Sequence, residues 1–372
     1  MKDVIVIGAD HYNTLWLVRS LGIGGFNPIV IVVGAHCGRS FVSKSKYCKQ
    51  CYHIKSIDDI VATLLSFQFS ERIVIFTSGD PYAVVIDKNY NQLSQKYILQ
   101  GCNNREGELV YWMDKDNMLA MAKECGLSIP YTRKLDLSED IDFSEIPYPC
   151  LIKPEISAES TKNTFRICQN IEELRHSISE VRGDCKNVIL QEFIQPDFEC
   201  LLYGVSTEIE VFLPGALHKI HTCSDTNNLG MMTYSYLSPD IPSQIGDIKK
   251  LKDFVKKMGY HGVFSVEFMI TRNKAYFLEI NLRNDGTCYI TTQAGVNIPA
   301  IWAASSYGLA TNNYHKVFNR ERTYGMNEIN YFKYTMKKVG IIQTIKDVCK
   351  AKAFSLYNAN DLRPFFYKFI YH

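Results

Sequence analysis

The run Tyr276-Phe277-Leu278-Glu279-Ile280-Asn281-Leu282-Arg283 is apolar, yet it carries an acid, an amide and a guanidinium at every second position. On a strand such side chains share one face, so Glu279, Asn281 and Arg283 gather two oxygen donors and a cation on a single surface. A magnesium-phosphate site suits that set. The strand-like stretch Gly262 to Ile270 holds a second acid, Glu267, in an equally apolar setting, where an unpaired carboxylate is costly. Two acids on adjacent strands repel unless a cation lies between them. Mg2+ takes hard oxygen ligands and completes its shell with water and substrate phosphates, which makes Glu267, Glu279 and Asn281 its candidate ligands. The other reading of the pattern is a solvated charge pair of Glu279 with Arg283 on an edge strand, and the local residues leave both open.

Two lysines point the same way. Lys153 lies inside the apolar strand Cys150-Leu151-Ile152-Lys153-Pro154, and a buried ammonium needs an anion. Lys115 begins a helix, where its charge opposes the helix dipole unless something negative binds there. Taken singly, each also reads as a snorkelling or surface lysine. His218 and His221, on an expected strand, read as structural residues.

The elements that must position these groups follow from periodicity. At 372 residues the chain suits two or three packed subdomains. With 46% hydrophobic and 22% charged residues it has the composition of a soluble globular protein. A net charge of +2 gives no electrostatic reason for a nucleic-acid or membrane partner. The start lacks the apolar core of a signal peptide, and no stretch has membrane-helix length, so a cytoplasmic location is expected. The 12 cysteines are scattered and read as reduced thiols. Cys48 and Cys51, with His36, Cys37 and His53 nearby, supply zinc-like spacing but lack a second pair of ligands.

Residues 3 to 34 read as strand, helix, strand, with Ile29 to Val33 suited to a buried parallel strand. The turn after Gly8 resembles a dinucleotide-binding turn with only its first glycine, which predicts a doubly wound start without its own nucleotide. Ile73 to Phe76 supplies another strand ending in a polar turn. Further on, an amphipathic helix spans Asp114 to Cys125 and closes at Gly126. After an acidic connector at 135–145 come the Lys153 strand, a helix over 171–182, the strand Val188 to Ile194, a meander to about 237, and a helix over 247–258 ahead of the two acid-bearing strands.

This ordered set of lysine, helix, Gly-x-x-x-Pro, Lys-Pro strand, Glu-Phe-Ile strand, a glutamate seven residues on, acid strand and Glu-x-Asn-x-Arg resembles the ATP-grasp superfamily over roughly residues 110 to 305. The resemblance implies a mixed α/β and α+β chain. An N-terminal doubly wound parallel sheet (1–110) is followed by a two-lobed ATP-grasp core (111–305) and a helical C-terminal extension (306–372). It implies ATP and Mg2+, with Mn2+ as an alternative ion. Lys115 and Lys153 match the lysines that hold ATP phosphates, and Gln191, Glu192, Phe193 and Ile194 match the hinge that reads adenine, with Glu192 accepting from the exocyclic amine. Glu199 matches the acid that binds ribose, while Glu267, Glu279 and Asn281 match the metal ligands. Arg283 matches the arginine that neutralises a transferred phosphate or acyl phosphate. The segment 155–163 departs from the family, because serine and threonine stand where many members have glycines.

Domain order and the tail look similar to the D-aspartate-ligase-like branch of carboxylate-amine ligases, with small-molecule acid and amine partners and a homodimer as an open option. In the tail, Asp361 and Arg363 read as a solvated loop. The activity implied is ATP-dependent activation of a carboxylate as an acyl phosphate and its transfer to an amine. The alternative is an ATP-binding regulatory or assembly module without turnover. Nothing marks a biotin or carbamate site.

Overall fold

The computed structural model describes all residues except 35–38, 155–165, 184–185, 224–227, 237–247, 273, 317–321 and 372. Five parallel strands open the chain, Asp3–Gly8, Asn27–Val33, Gln50–Ile54, Ile73–Thr77 and Tyr97–Ile98. They pair in the spatial order third, second, first, fourth, fifth. Their β-branched runs are buried on both faces. Val4, Val6, Val30 and Val32 pack on the side of the helix Tyr12–Ile23, and Ile5, Ile7, Ile29 and Ile31 pack on the other. Such two-sided burial produces continuous rather than alternating apolar runs.

The strand order reverses at the first strand, so the carboxyl ends of Asp3–Gly8 and Ile73–Thr77 frame the crevice where doubly wound folds gather ligands. Gly8 lets these ends approach: a Cβ there would lie 2.0 Å from Ser78 Oγ and 2.4 Å from Thr14 Oγ1. The chain itself occupies this crevice. The Asn284 amide donates to the Thr77 carbonyl at 3.2 Å, and its side-chain Nδ2 donates to Asn13 Oδ1 at 2.7 Å.

A four-stranded antiparallel sheet follows, in the order Thr132–Asp136, Asn187–Glu192, Cys150–Pro154, Arg166–Cys168. Cys150, Ile152, Val188 and Leu190 point to one face and form a core with Leu174, Ile178 and Val181 of the helix Ile171–Val181. The alternate residues Leu151, Lys153, Ile189 and Gln191 must then face the other way. A larger sheet contains Phe198–Ser206, Gly215–Cys223, Asn228–Tyr236, Tyr260–Thr271 and Lys274–Asn281. Its core face carries Val266, Phe268, Ile270, Phe277 and Ile280.

The helix Lys115–Glu124 packs beside the strand Lys274–Asn281. Asp114 caps its start by accepting from the Asp116 and Asn117 amides. Gly126, at φ +77°, ends it in a Schellman turn: the Leu127 amide donates to the Ala122 carbonyl and Gly126 to Lys123, both at 2.9 Å.

The C-terminal region is helical, with Met336–Lys350 and Arg363–Tyr371, and it also adds the strands Thr323–Met326 and Ala351–Phe354 to the edge of the large sheet. Here the structure corrects the expectation of a solvated loop at Asp361. Asp361 is buried and pairs with Arg19 at 2.9 Å, with side-chain exposures of 1% and 0%. Ser45 Oγ and the Lys46 amide also donate to it, each at 2.8 Å. The sequence hid this pairing because Arg19 sits 342 positions away on the first helix. Arg363 is exposed, but it opens the helix Arg363–Tyr371 rather than lying in a loop.

Candidate active site

A cavity of about 320 Å³ lies between the four-stranded sheet and the large sheet. Lys153, Ile189, Gln191 and Leu151 line one wall, Glu267, Met269, Leu278 and Glu279 the opposite wall, and Lys115 closes one side. The segment Glu192, Phe193 and Ile194, which connects the two sheets, also borders it.

On the lysine wall, Lys153 Nζ donates to Gln191 Oε1 at 3.1 Å, and Gln191 Nε2 donates to Thr132 Oγ1 at 3.0 Å. Gln191 thus orients the ammonium by its side chain. Burial, followed by repulsion from Lys115, pulls the Lys153 pKa down to about 8, with Glu279 opposing. That is the signature of a cation lacking a close anion. Glu192 Oε2 accepts the Tyr131 amide at 3.1 Å, and the Phe193 amide donates to the Pro149 carbonyl at 2.9 Å, so the connecting segment is tied to the strand before it.

On the acid wall, Glu267 and Glu279 are direct cross-strand partners, and the register slips by one residue between Glu267 and Phe268. This bulge resolves a conflict in the sequence. Strict alternation would place Glu279 on the same face as Phe277, which belongs to the core. Because Leu278 is the extra residue, both it and Glu279 turn to the cavity. Burial raises the Glu267 carboxyl to about 7, with Glu279, Asp285 and Glu199 adding to the shift and Lys219 opposing it.

Three of the expected residues stand apart from the cavity walls. Glu199 lies opposite Met269 on the neighbouring strand, and its carboxylate is paired with Lys219, a residue that no sequence pattern had marked. Asn281 Oδ1 accepts from Arg283 Nη2 at 3.0 Å, and its Nδ2 donates to Ser265 Oγ at 3.4 Å. Arg283 lies beyond the end of its strand at Asn281, which corrects the reading that placed it on the strand face. Its Nε and Nη2 reach the two oxygens of Asp80 at 2.9 and 3.4 Å, and Nη1 donates to the Asn284 carbonyl at 3.3 Å and lies 3.6 Å from Asp285. Burial works to lower its pKa, but Asp80 and Asp285 outweigh it and raise the value further. Asp80, which opens the helix Asp80–Asp87, and Asp285, in the loop after the strand, were missed because neither stands in a periodic pattern with Arg283.

Among the described residues no cluster of three His, Cys, Asp or Glu side chains is placed to hold a metal ion. Cys51 Sγ lies 3.7 Å from His53 Nε2, and Cys48 donates to the Gln50 carbonyl. His36, Cys37 and the glycine-poor segment 155–163 lie outside the described residues. His218 sits with its ring centroid 5.1 Å from that of Phe198, and burial lowers its pKa.

Residues 243–330 match the family model described as ATP-grasp in the biosynthetic pathway with Ter operon. A formate-dependent phosphoribosylglycinamide formyltransferase from Wolinella succinogenes is 29% identical over 155 residues, 40% of this chain and 37% of the relative. Over the residues matched, the chain is similar to ATP-grasp proteins. Two solved structures share its fold. The L-amino acid ligase of Bacillus licheniformis superposes with a TM-score of 0.64 at 15% identity, covering 87% of this chain and 79% of that one. The ADP complex of N5-carboxyaminoimidazole synthetase from Staphylococcus aureus superposes with 0.66 at 13% identity, covering 91% and 87%. The sequence match therefore spans under half the length of the formyltransferase, whereas the fold shared with these two structures extends over most of the chain. Among the described residues no helix is long and apolar enough to cross a membrane.

Proposed function

We propose that this protein is an ATP-dependent ligase that activates a small-molecule carboxylate as an acyl phosphate and passes the acyl group to an amine, giving an amide, ADP and phosphate. One observation carries the reading: Lys115 and Lys153 face Glu267 and Glu279 across a single cavity between two sheets. The lysines supply charge for phosphates, and the connecting segment Gln191 to Ile194 borders the same space for a base. Glu199, near its edge, is the ribose contact in this reading. The division at about 110 and 305 follows from it.

Glu267 and Glu279 in direct register, with Glu267 shifted to about 7, form the electrostatic setting that a divalent cation relieves. Mg2+ or Mn2+ fits Glu267, Glu279 and Asn281, which are all oxygen donors. When bound, such an ion neutralises charge on the phosphates during transfer. Arg283 contributes by exchanging contacts: its guanidinium is shared among Asp80, Asn281 and Asp285, and a developing phosphate competes for its Nη2. No enzyme nucleophile is required, since the amine attacks the acyl phosphate directly.

The test is a screen for ADP release over pairs of carboxylic acids and amines, with oxygen-18 in the acid carboxylate. Label should enter inorganic phosphate as amide forms. ATP binding without ADP release for any pair points to a regulatory module. Label that stays wholly in the acid during turnover excludes the acyl phosphate.

A further inference from the structure

A second cavity, of about 290 Å³, lies where the turn after the first strand meets the C-terminal region. His11, Tyr12, Asn327 and Lys368 contribute to its wall. Tyr12, on its wall, also approaches the turn that follows Arg283. Its phenol feels the charge of Asp285, and a Cβ at Gly286 would come within 3.5 Å of its ring. Asp285 in turn lies 3.6 Å from Arg283 Nη1.

The wall presents hydrogen-bond donors. His11 Nδ1 accepts the Asn13 amide at 3.2 Å, so the proton of the neutral ring sits on Nε2. Burial lowers the His11 pKa, with Asp10 opposing and Lys368 adding to the shift, which keeps the ring neutral at pH 7. Burial raises the Tyr12 pKa, with Asp285 adding to the rise, but a hydrogen bond from the Asn327 side chain works against it. Asn327 is 4% exposed and thus fixed in place. The Lys368 ammonium lies 5.2 Å from the Phe41 ring centroid, and among the described residues no carboxylate is within ion-pair distance of it.

Asp10 limits how much negative charge the cavity tolerates. Ser40 Oγ at 2.6 Å and the Val42 and Phe41 amides at 3.1 and 3.2 Å donate to its carboxylate. Asp10 and Lys368 line the same cavity, so a ligand with one negative charge is favoured over one with two.

We propose that this second cavity binds the carboxylate of a small organic molecule through Lys368, Tyr12 and His11, with Lys368 of the C-terminal helix supplying the ammonium. That the occupant is a substrate rests on the ligase reading; the binding itself does not.

Titration of the full-length protein with sodium acetate, without ATP, tests it. The probe is the His11 ring signal in histidine-labelled protein, assigned by its loss in His11→Gln. A saturable shift is expected. Its midpoint should rise at least tenfold in Lys368→Met and recover in Lys368→Arg. Tyr12→Phe, which keeps the ring and its packing, should weaken binding as well and covers a failure of Lys368→Met to fold. An unresponsive His11 signal, a midpoint unchanged in Lys368→Met, or inorganic phosphate binding as tightly as acetate would overturn the proposal. Because ADP release is measured separately, loss of this site and loss of the ligase reading are distinguishable.

Discussion

The chain buries charge in two contrasting ways. Between the first helix and the C-terminal tail, Asp361 receives Arg19, Ser45 and the Lys46 amide, and nearby Glu328 accepts four donors from Ser355, Leu356 and Tyr357. These acids are saturated by the protein itself. In the cavity, by contrast, Glu267 faces Glu279, Lys115 repels Lys153, and among the described residues Lys153 donates only to a neutral amide oxygen. Both Glu267 and Lys153 are pushed toward their neutral forms, to about 7 and about 8. Saturated charges fasten the tail to the sheet; unsaturated ones persist where a ligand completes them. Arg283 lies between the two cases, fully partnered yet beside the acid wall.

The largest expected effect falls on the saturated region. Asp361→Ala leaves Arg19 buried without its anion, and breaking such a pair from one side costs about 3–5 kcal/mol. Urea unfolding should show that loss, and a change below about 1 kcal/mol would mean the tail is held by its apolar contacts alone. In the cavity the effect should move from stability to turnover. Glu279→Gln and Glu267→Gln keep shape and remove charge, so each should lower ADP release by about two orders of magnitude or more. Their melting temperatures should be unchanged or raised, because a repulsion between two acids is removed. Normal ligation by both variants would sink the metal assignment.

Much of this contrast was legible in the sequence, but unevenly. Continuous β-branched runs gave the parallel sheet, and alternation in Cys150–Pro154 placed Lys153 opposite its core face. The helix ending at Gly126 followed from one residue that tolerates positive φ. Local patterns could not show that a bulge at Leu278 turns Glu279 to the cavity, since bulges depend on the partner strand. Arg19 with Asp361, and Asp80 with Arg283, are separated by 342 and 203 positions, beyond any periodic signal. The same holds for Lys219, which pairs with Glu199 across strands.

A smaller effect separates the two regions by sign. Asp361→Ala should destabilise, whereas Lys153→Met removes an ammonium that has no close anion and should stabilise the ligand-free protein by on the order of 1 kcal/mol at pH 7. The same substitution should weaken ATP binding about tenfold or more, since it deletes a point charge in a partly desolvated site. Unaltered affinity, measured by calorimetry with a non-hydrolysable ATP analogue, would make Lys153 a structural lysine.

The smallest effect is a fraction of a proton. With its pKa pulled down from 10.5 to about 8, Lys153 binds fewer protons in the folded than in the unfolded chain between those values, so its burial penalty is present below pH 8 and relieved as pH rises. A phosphate beside it favours the charged form and returns the pKa toward that of a free lysine. At pH 8.5, where Glu267 at about 7 is already ionised, ATP binding should therefore take up roughly three quarters of a proton, the fraction of Lys153 that is neutral before binding. At pH 7 the lysine is mostly protonated already, and its uptake should fall to about a tenth of a proton. Calorimetry in buffers of different ionisation enthalpy at pH 8.5 measures this directly, and Lys153→Met supplies the blank. Equal uptake by the variant would mean that Lys153 does not meet the phosphates, and the contrast between saturated and waiting charge would then rest on the two acids alone.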